Sequence, residues 1–315
     1  MKSRSILFFV LIFVITLSSI YSQEKPLPQW LQMEQGIKAY DEGRLGEALR
    51  IFRNIAEEDP LYANVHMWLG HVFAAEGEYI SAKEKYYDAL EKNRNFFPQS
   101  ERINALYSLV EIARRLEEWD EMETHLRAIL KEGKTEPLPE VRVEAMLNKF
   151  ISEGPDKLLE LYRLKDKPIR EAYETLGILS LQKENYRGAM KNLLLSITTS
   201  LSIAIDVHHS LDPEYSFINY DMNPGLERFF TENTALLLND SRRVTQLEEY
   251  FNTVGLHRQL FLLGMSMLGM GEKEKAERIW LLVTEYQRAG KWANLARSQI
   301  GEASLDILPT VLNYR

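Results

Sequence analysis

The first feature of the hydrophobic pattern is a nearly continuous apolar run from Ile6 to Leu17, set between the cations Lys2 and Arg4 and the small or polar residues Ser18 to Ser22. Beyond it, apolar positions recur at helical spacing, and four stretches share one offset. Gly36 is followed after twelve residues by Ala48, Gly70 by Ala82, Gly177 by Ala189 and Gly264 by Ala276. Leucine precedes three of these glycines (Leu69, Leu176 and Leu263), and a large side chain stands four residues after each alanine: Phe52, Tyr86, Leu193 and Trp280. A second glycine follows the first after seven residues at Gly43, Gly77 and Gly271.

Self-similarity at a fixed period of a few tens of residues implies stacked units that cannot fold singly. Each position in the pattern has a physical reason. Gly or Ala where one helix crosses the next lets the two axes approach. Phe52, Tyr86, Leu193 and Trp280 are expected to fill the space between one helix pair and the next, each burial contributing about 1.5–3 kcal/mol. Gly43, Gly77 and Gly271 fall where the first helix must end, and glycine reaches the left-handed backbone of a C-cap cheaply. Pro60 stops the second helix of the first pair.

The pattern resembles the tetratricopeptide repeat, a 34-residue pair of antiparallel helices, and Gly36 and Gly70 are 34 residues apart. The resemblance implies an all-α fold, an α-solenoid of stacked helix pairs coiled into a superhelix. A weaker unit from Glu101 to Leu130 keeps the twelve-residue offset as Val110 and Met122, with Trp119 and Leu126, but lacks the small residues, so its helices should sit farther apart. Apolar positions from Val141 to Leu161 suit a degenerate pair turned at Gly154 and Pro155. Leu226 to Leu238 and Val244 to Phe251 make another short pair, with Asp240 or Ser241 as an N-cap between them. Trp292 to Leu305 reads as a closing helix, and Pro309 as the end of regular structure. These readings divide the chain into a leader (1–22), a block of three repeats (29–131), a degenerate repeat plus one repeat (139–205), an aromatic loop (206–225) and a C-terminal block with its capping helix (226–306).

The N-terminal run matches a secretory signal peptide cut after Ser22. The alternative, an inner-membrane anchor over residues 6–20, needs about 20 apolar residues, and the run softens at Thr16, Ser18 and Ser19. No second hydrophobic span is expected. The periplasm or cell envelope follows as the expected location, with membrane contact only if the segment stays uncut. With 38 basic and 46 acidic residues the chain carries a net charge of −8, and −10 without the leader, so nucleic acid is not an expected partner. Cysteine is absent, which excludes disulfides, thiolate metal sites and cysteine nucleophiles.

The family resemblance implies peptide or helix binding on the concave side, along the first helix of each pair. Carrying its inward positions over gives Trp30, Met33, Ile37 and Tyr40, then Asn64, Met67 and His71, then Asn104, Tyr107, Glu111 and Arg114. Later units contribute Glu171, Glu174 and Ile178, and Arg258, Phe261 and Met265. Met33, Met67 and Ile37 stand where a carboxylate clamp would need polar groups, so an apolar helix or extended segment is the expected ligand, although apolar stripes at this spacing also pack as core. The aromatic loop offers Tyr215, Phe217 and Tyr220 to close a pocket for a small molecule or lipid, the alternative function. Asp206, His208, His209 and Asp212 form the best metal-like cluster, on which a metal-dependent enzyme is the third and least favoured reading, but adjacent histidines on a helix point about 100° apart and no spaced partner follows. No cofactor, metal or catalytic residue is expected. The reading is therefore a non-enzymatic scaffold joining a protein or peptide partner within an envelope assembly, such as a flagellar-motor collar or a transporter complex, between which the residues do not choose.

Overall fold

A computed structural model describes residues 27–91, 94–133, 138–217, 229–285 and 289–312. The chain divides into two compact units, residues 1–105 and 106–315. Among the described residues all regular structure is helical, with one isolated parallel bridge between Tyr62 and Asn95. The leader, Tyr220 and residues 226–228 of the expected short helix lie outside the described residues.

Unit 1 contains two antiparallel pairs, α1 (Gln29–Asp41) with α2 (Leu45–Glu58) and α3 (Ala63–Ala75) with α4 (Tyr79–Leu90), and the first turn of α5 (Glu101–Arg115). The glycines explain how each pair closes. A Cβ placed on Gly36 would lie 2.5 Å from the Phe52 ring, and one on Gly70 would lie 2.6 Å from Tyr86. The large side chain therefore occupies the space its own pair's glycine leaves open, and not mainly the gap between pairs. Phe52 also reaches the next pair, where its ring stacks on Trp68 at 5.9 Å between centroids. Ala48 and Ala82, completely buried, complete the close crossings.

The same contact recurs in unit 2, where a Cβ on Gly177 would meet Leu193 at 2.7 Å and one on Gly264 would meet Trp280 at 2.3 Å. These join α8 (Lys167–Gln182) to α9 (Tyr186–Leu211) and α12 (Leu256–Gly269) to α13 (Lys273–Glu285). The rest of α5 leads into α6 (Trp119–Glu132), where Val110 and Met122, both buried, stand at the offset positions. α9 is long and apolar enough to cross a membrane by length and composition, contrary to the expectation of no further span, but 83% of its apolar stretch is buried inside the protein, which marks a core helix. Its buried hydroxyls are satisfied locally: Thr198 and Thr199 donate to the carbonyls of Leu194 and Leu195 at 2.7 and 2.8 Å.

Several expected boundaries move. α9 runs through Asp206 to Leu211, so the first third of the expected loop is helix. α7 (Glu140–Leu161) is broken at Gly154, whose φ of 84° admits glycine and few other residues, with Pro155 opening the second segment. A Cβ there would also strike the carbonyl oxygen of Phe230 at 2.4 Å. α10 (Glu232–Asp240) is capped from a distance by buried Asp156, whose carboxylate accepts from the backbone N–H of Asn233 (2.8 Å) and Thr234 (2.9 Å) and from the Thr234 hydroxyl (2.7 Å). Asp240 and Ser241 do not cap α11 (Thr245–Thr253): Val244 holds the N-cap position, Ser241 donates to the carbonyl of Leu238, and Asp240 faces His208. The closing helix α14 spans Lys291–Gln299, and after a short 3-10 turn (Leu305–Ile307) comes α15 (Leu308–Leu312). Pro309 lies in the first turn of α15 instead of ending regular structure, at a position whose missing N–H is not needed.

The turn glycines behave as read, and the turn is more widespread than glycine shows. At Gly43, Gly77 and Gly271, φ is 75°, 82° and 83°. In each case the residue after the glycine donates to a carbonyl five residues back, as Arg44 does to Ala39 at 2.8 Å, and the glycine donates three back. The same paired bonds close α5 and α8 around Glu117 (φ 59°) and Glu184 (φ 54°), both exposed. A non-glycine side chain in this region costs roughly 1–2 kcal/mol against its right-handed conformation.

Glu184→Gly and Glu117→Gly are therefore each expected to raise stability by about 0.5–1 kcal/mol, and Gly264→Ala to lower it by about 1–3 kcal/mol through overpacking against Trp280; urea midpoints of the three variants check both signs.

Two buried imidazoles set an acid limit. Burial lowers His71 and His257 from 6.5 to about 4. Above pH 6.5 both are neutral whether folded or not; between 6.5 and 4 the unfolded chain takes up protons that the folded chain refuses, so stability falls with pH across that window and loses nothing more below it. The loss is about 3 kcal/mol per residue. Urea midpoints measured from pH 7.5 to 4.5 should fall steeply, and His71→Gln with His257→Gln should flatten the slope.

Candidate functional site

The expected groove residues meet different fates in unit 1. Trp30 is 64% exposed near the start of α1. Met33 and Met67 are buried, and Ile37 is half-buried beside Met33 in the same core. Asn64 is a structural residue: its amide nitrogen donates to the carbonyl of Phe97 (3.0 Å) and its oxygen accepts from the N–H of Phe97 (2.8 Å), fixing the segment after α4. Tyr40 and His71 belong to an aromatic cluster with Trp68 and Tyr86. Tyr40 meets Trp68 edge-on at 5.5 Å, Trp68 meets His71 edge-on at 5.0 Å, and His71 Nδ1 lies 2.8 Å from the Tyr86 hydroxyl. Trp68 escaped the sequence reading although it sits four residues after Asn64, on the stripe that was carried over. Asn104, exposed on α5, donates to Glu101 at 2.9 Å.

Unit 2 gathers its expected residues around one cleft of about 740 Å³. α8 supplies a wall because its residues four apart fall on one face: Arg170, Glu174, Ile178 and Gln182, with Glu171, Thr175 and Leu179 beside them. Its other face, at Ala172, Leu176 and Gly177, is buried in the fold. The end of α5 brings Glu111, Arg114 and Arg115, the following turn brings Glu117, and α6 opens with Trp119 and Met122. Opposite stand the turn from Asn252 to Gly255 and Arg258 in the first turns of α12, with Leu312 of α15 at the margin. Of the expected set, Glu111, Arg114, Glu171, Glu174, Ile178 and Arg258 thus share this cleft; Arg170, Trp119 and the 252–255 turn were not assigned to it. Arg170 had a legible signal, its position four residues before Glu174.

Phe261 and Met265, by contrast, are completely buried, and the Phe261 ring packs between Trp280 (6.1 Å) and Trp292 (5.7 Å). They are core, because the face of α12 they occupy turns toward α13 and α14. Tyr107 is tied down, its hydroxyl donating to the carbonyl of Pro168.

The charged groups of the cleft are ordered by one buried amide. Gln259, completely buried, donates to the carbonyl of Val254 (2.6 Å) and to Glu174 Oε2 (3.2 Å) and accepts from Ser196 (2.9 Å), joining α8, α9 and α12. Burial pushes the Glu174 carboxyl up, opposed by Arg170, which donates to it at 3.1 Å, and by Arg258, 3.7 Å away. That 3.7 Å approach is an ion pair without hydrogen-bond geometry, and the Arg258 Nε is buried with no acceptor. Glu111 is shared by Arg114 (2.8 Å) and Arg115 (3.0 Å).

The metal-like cluster disperses. Asp206 pairs with Lys165 at 2.7 Å, and His208 faces Asp240 at 3.2 Å and stacks on Tyr215 at 3.7 Å. His209 meets the carbonyl of Tyr215, and Asp212 accepts from the N–H of Glu214. No group of three metal-binding side chains occurs among the described residues. Phe217 is buried beneath the Arg163 guanidinium at 5.3 Å, so both described aromatics of the loop fill space within the fold.

No protein-family model matches the chain. An uncharacterized protein of Treponema pallidum (strain Nichols) is 24% identical over 165 residues, 51% of this chain; the match spans less than half, 44%, of that protein's length. Among solved structures, the MamA protein aligns with a TM-score of 0.43 at 13% identity, over 82% of this chain and 92% of that one. The pilF protein of Pseudomonas aeruginosa aligns at 0.37 and 16%, over 86% and 97%, and a tetratricopeptide repeat protein from Parabacteroides merdae at 0.30 and 16%, over 90% and 97%. Likeness of this size carries no argument about role. The repeated helix pairs, each closed by a glycine beneath a large side chain and three of them turned through a left-handed glycine, show the fold by themselves: an all-α helical repeat of stacked antiparallel pairs, the arrangement that the resemblance to the tetratricopeptide repeat implied.

Proposed function

We propose that the protein is a non-enzymatic scaffold of the periplasm or cell envelope that holds a helix or extended segment of another protein in the unit 2 cleft. The observation that carries this reading is the cleft's composition. Its walls mix apolar surface, from Trp119, Ile178 and Leu179, with guanidinium and carboxylate groups that largely neutralise one another. Such a lining suits a protein segment with an apolar face and a polar rim better than a small molecule or an ion. Export rests on the N-terminal sequence, with its two cations, apolar run and small-residue boundary at Ser22.

The test places a photoreactive amino acid at Thr175, on the α8 wall, in the full chain within its own cell envelope. Irradiation should give one dominant crosslinked protein. Ile178→Asp, which puts a charge on the apolar floor, should cut that product at least tenfold, while Ile80→Asp at an exposed position of unit 1 should not. Crosslinks to lipid alone, or a product indifferent to Ile178→Asp, would end this reading.

A further inference from the structure

Which segment the cleft accepts follows from the charges its walls leave unmet; this inference rests on the scaffold reading. Four guanidiniums and four carboxylates line the cleft, and most are engaged with one another. Glu111 serves Arg114 and Arg115, while Glu174 serves Arg170 and Gln259. Three groups differ: Glu117, exposed in the turn after α5, has no side-chain ion pair or hydrogen bond among the described residues, and the other two are Arg258 and Glu171. Arg258, with five N–H donors, makes a single 3.7 Å ion contact and no hydrogen bond, although its side chain is only 27% exposed. Glu171, exposed on α8, has no ion pair or hydrogen bond among the described residues.

These two lie close together. Glu171 and Glu174 are three residues apart on one helix, about 4.5 Å along its axis, and Arg258 leans on Glu174. An unmet cation and an unmet anion are thus offered about one helical turn apart, with Ile178 one turn farther along the same wall and Trp119 across from it. We propose that the cleft selects a partner segment carrying an acidic and a basic side chain about one helical turn apart, the acid on Arg258 and the base on Glu171, with its apolar face on Ile178 and Trp119. Charge complementarity is the argument. A segment of one sign would leave one of the two wall groups unanswered and place its other charge against a like one.

Four fluorescein-labelled helical peptides of about 14 residues serve as probes, sharing one leucine face and differing in one i, i+4 pair: Glu–Lys, Glu–Gln, Gln–Lys and Gln–Gln. Anisotropy titration of the full chain should rank Glu–Lys at least tenfold tighter than Gln–Gln. Arg258→Gln should remove the advantage given by Glu, and Glu171→Gln the advantage given by Lys, each leaving the other intact. Glu171 is exposed, so its variant folds even if loss of Arg258 beside buried Glu174 disturbs the core, and Arg258→Lys, which keeps the charge and removes the fork, supplies the second reading. Equal binding of all four peptides, no binding by any, or selectivity unchanged in both variants overturns the proposal. If the Thr175 crosslink still depends on Ile178, the scaffold reading survives that result; if the crosslink is lost as well, both fall.

Discussion

The fold depends on a steric vacancy. At Gly36, Gly70, Gly177 and Gly264 the missing Cβ lets a ring or a leucine from the partner helix lie where any other residue's side chain would begin. That contact sets the separation of the two helices, and the separation sets how closely the buried alanines can cross. Because the large side chain also reaches outward, as Phe52 does to Trp68, one contact fixes both the pair and its neighbour. α5 and α6 carry no such vacancy, with Val110 and Met122 at the offset positions, and the end of α5 and the start of α6 wall the cleft.

This part of the architecture was legible because its determinants are local: a small residue, twelve positions, another small residue, four more, a large one. The turns were only partly legible. Three announce themselves by glycine, but Glu117 and Glu184 take the same backbone with no sequence mark, since the bonds around them and the docked helices hold the strain. The Asp156 clamp gave no signal, because its donors Asn233 and Thr234 stand 77 and 78 residues away and only the folded chain brings them together.

The cleft shows the same division. Position on the first helix of each pair singled out Glu111, Arg114, Glu171, Glu174, Ile178 and Arg258, and these line one cleft. It could not separate them from Met33, Met67, Phe261 and Met265, since a helical stripe states which residues share a face but not what lies opposite. In α12 a third helix covers the face holding Phe261 and Met265, whereas Arg258, a turn earlier, stays at the cleft edge. The 252–255 turn entered through tertiary folding alone.

The long-range bonds of unit 2 bear on the order in which it can assemble. Chain closure between distant residues is slow relative to helix-pair formation, and a segment emerging from its N-terminus must wait for its far partner. The pairs of unit 1 need only some 30 residues to close. The carboxylate of Asp156 remains without its donors, and that of Glu174 with Arg170 alone, until Thr234 and Gln259 arrive, 78 and 85 residues later. During that interval the apolar length of α9 is synthesised before α12, which helps to bury it, exists. Unit 2 is thus the stretch most exposed to capture by a chaperone, and a truncation before Gln259 would leave a nascent chain displaying a helix that cellular machinery could mistake for a membrane span.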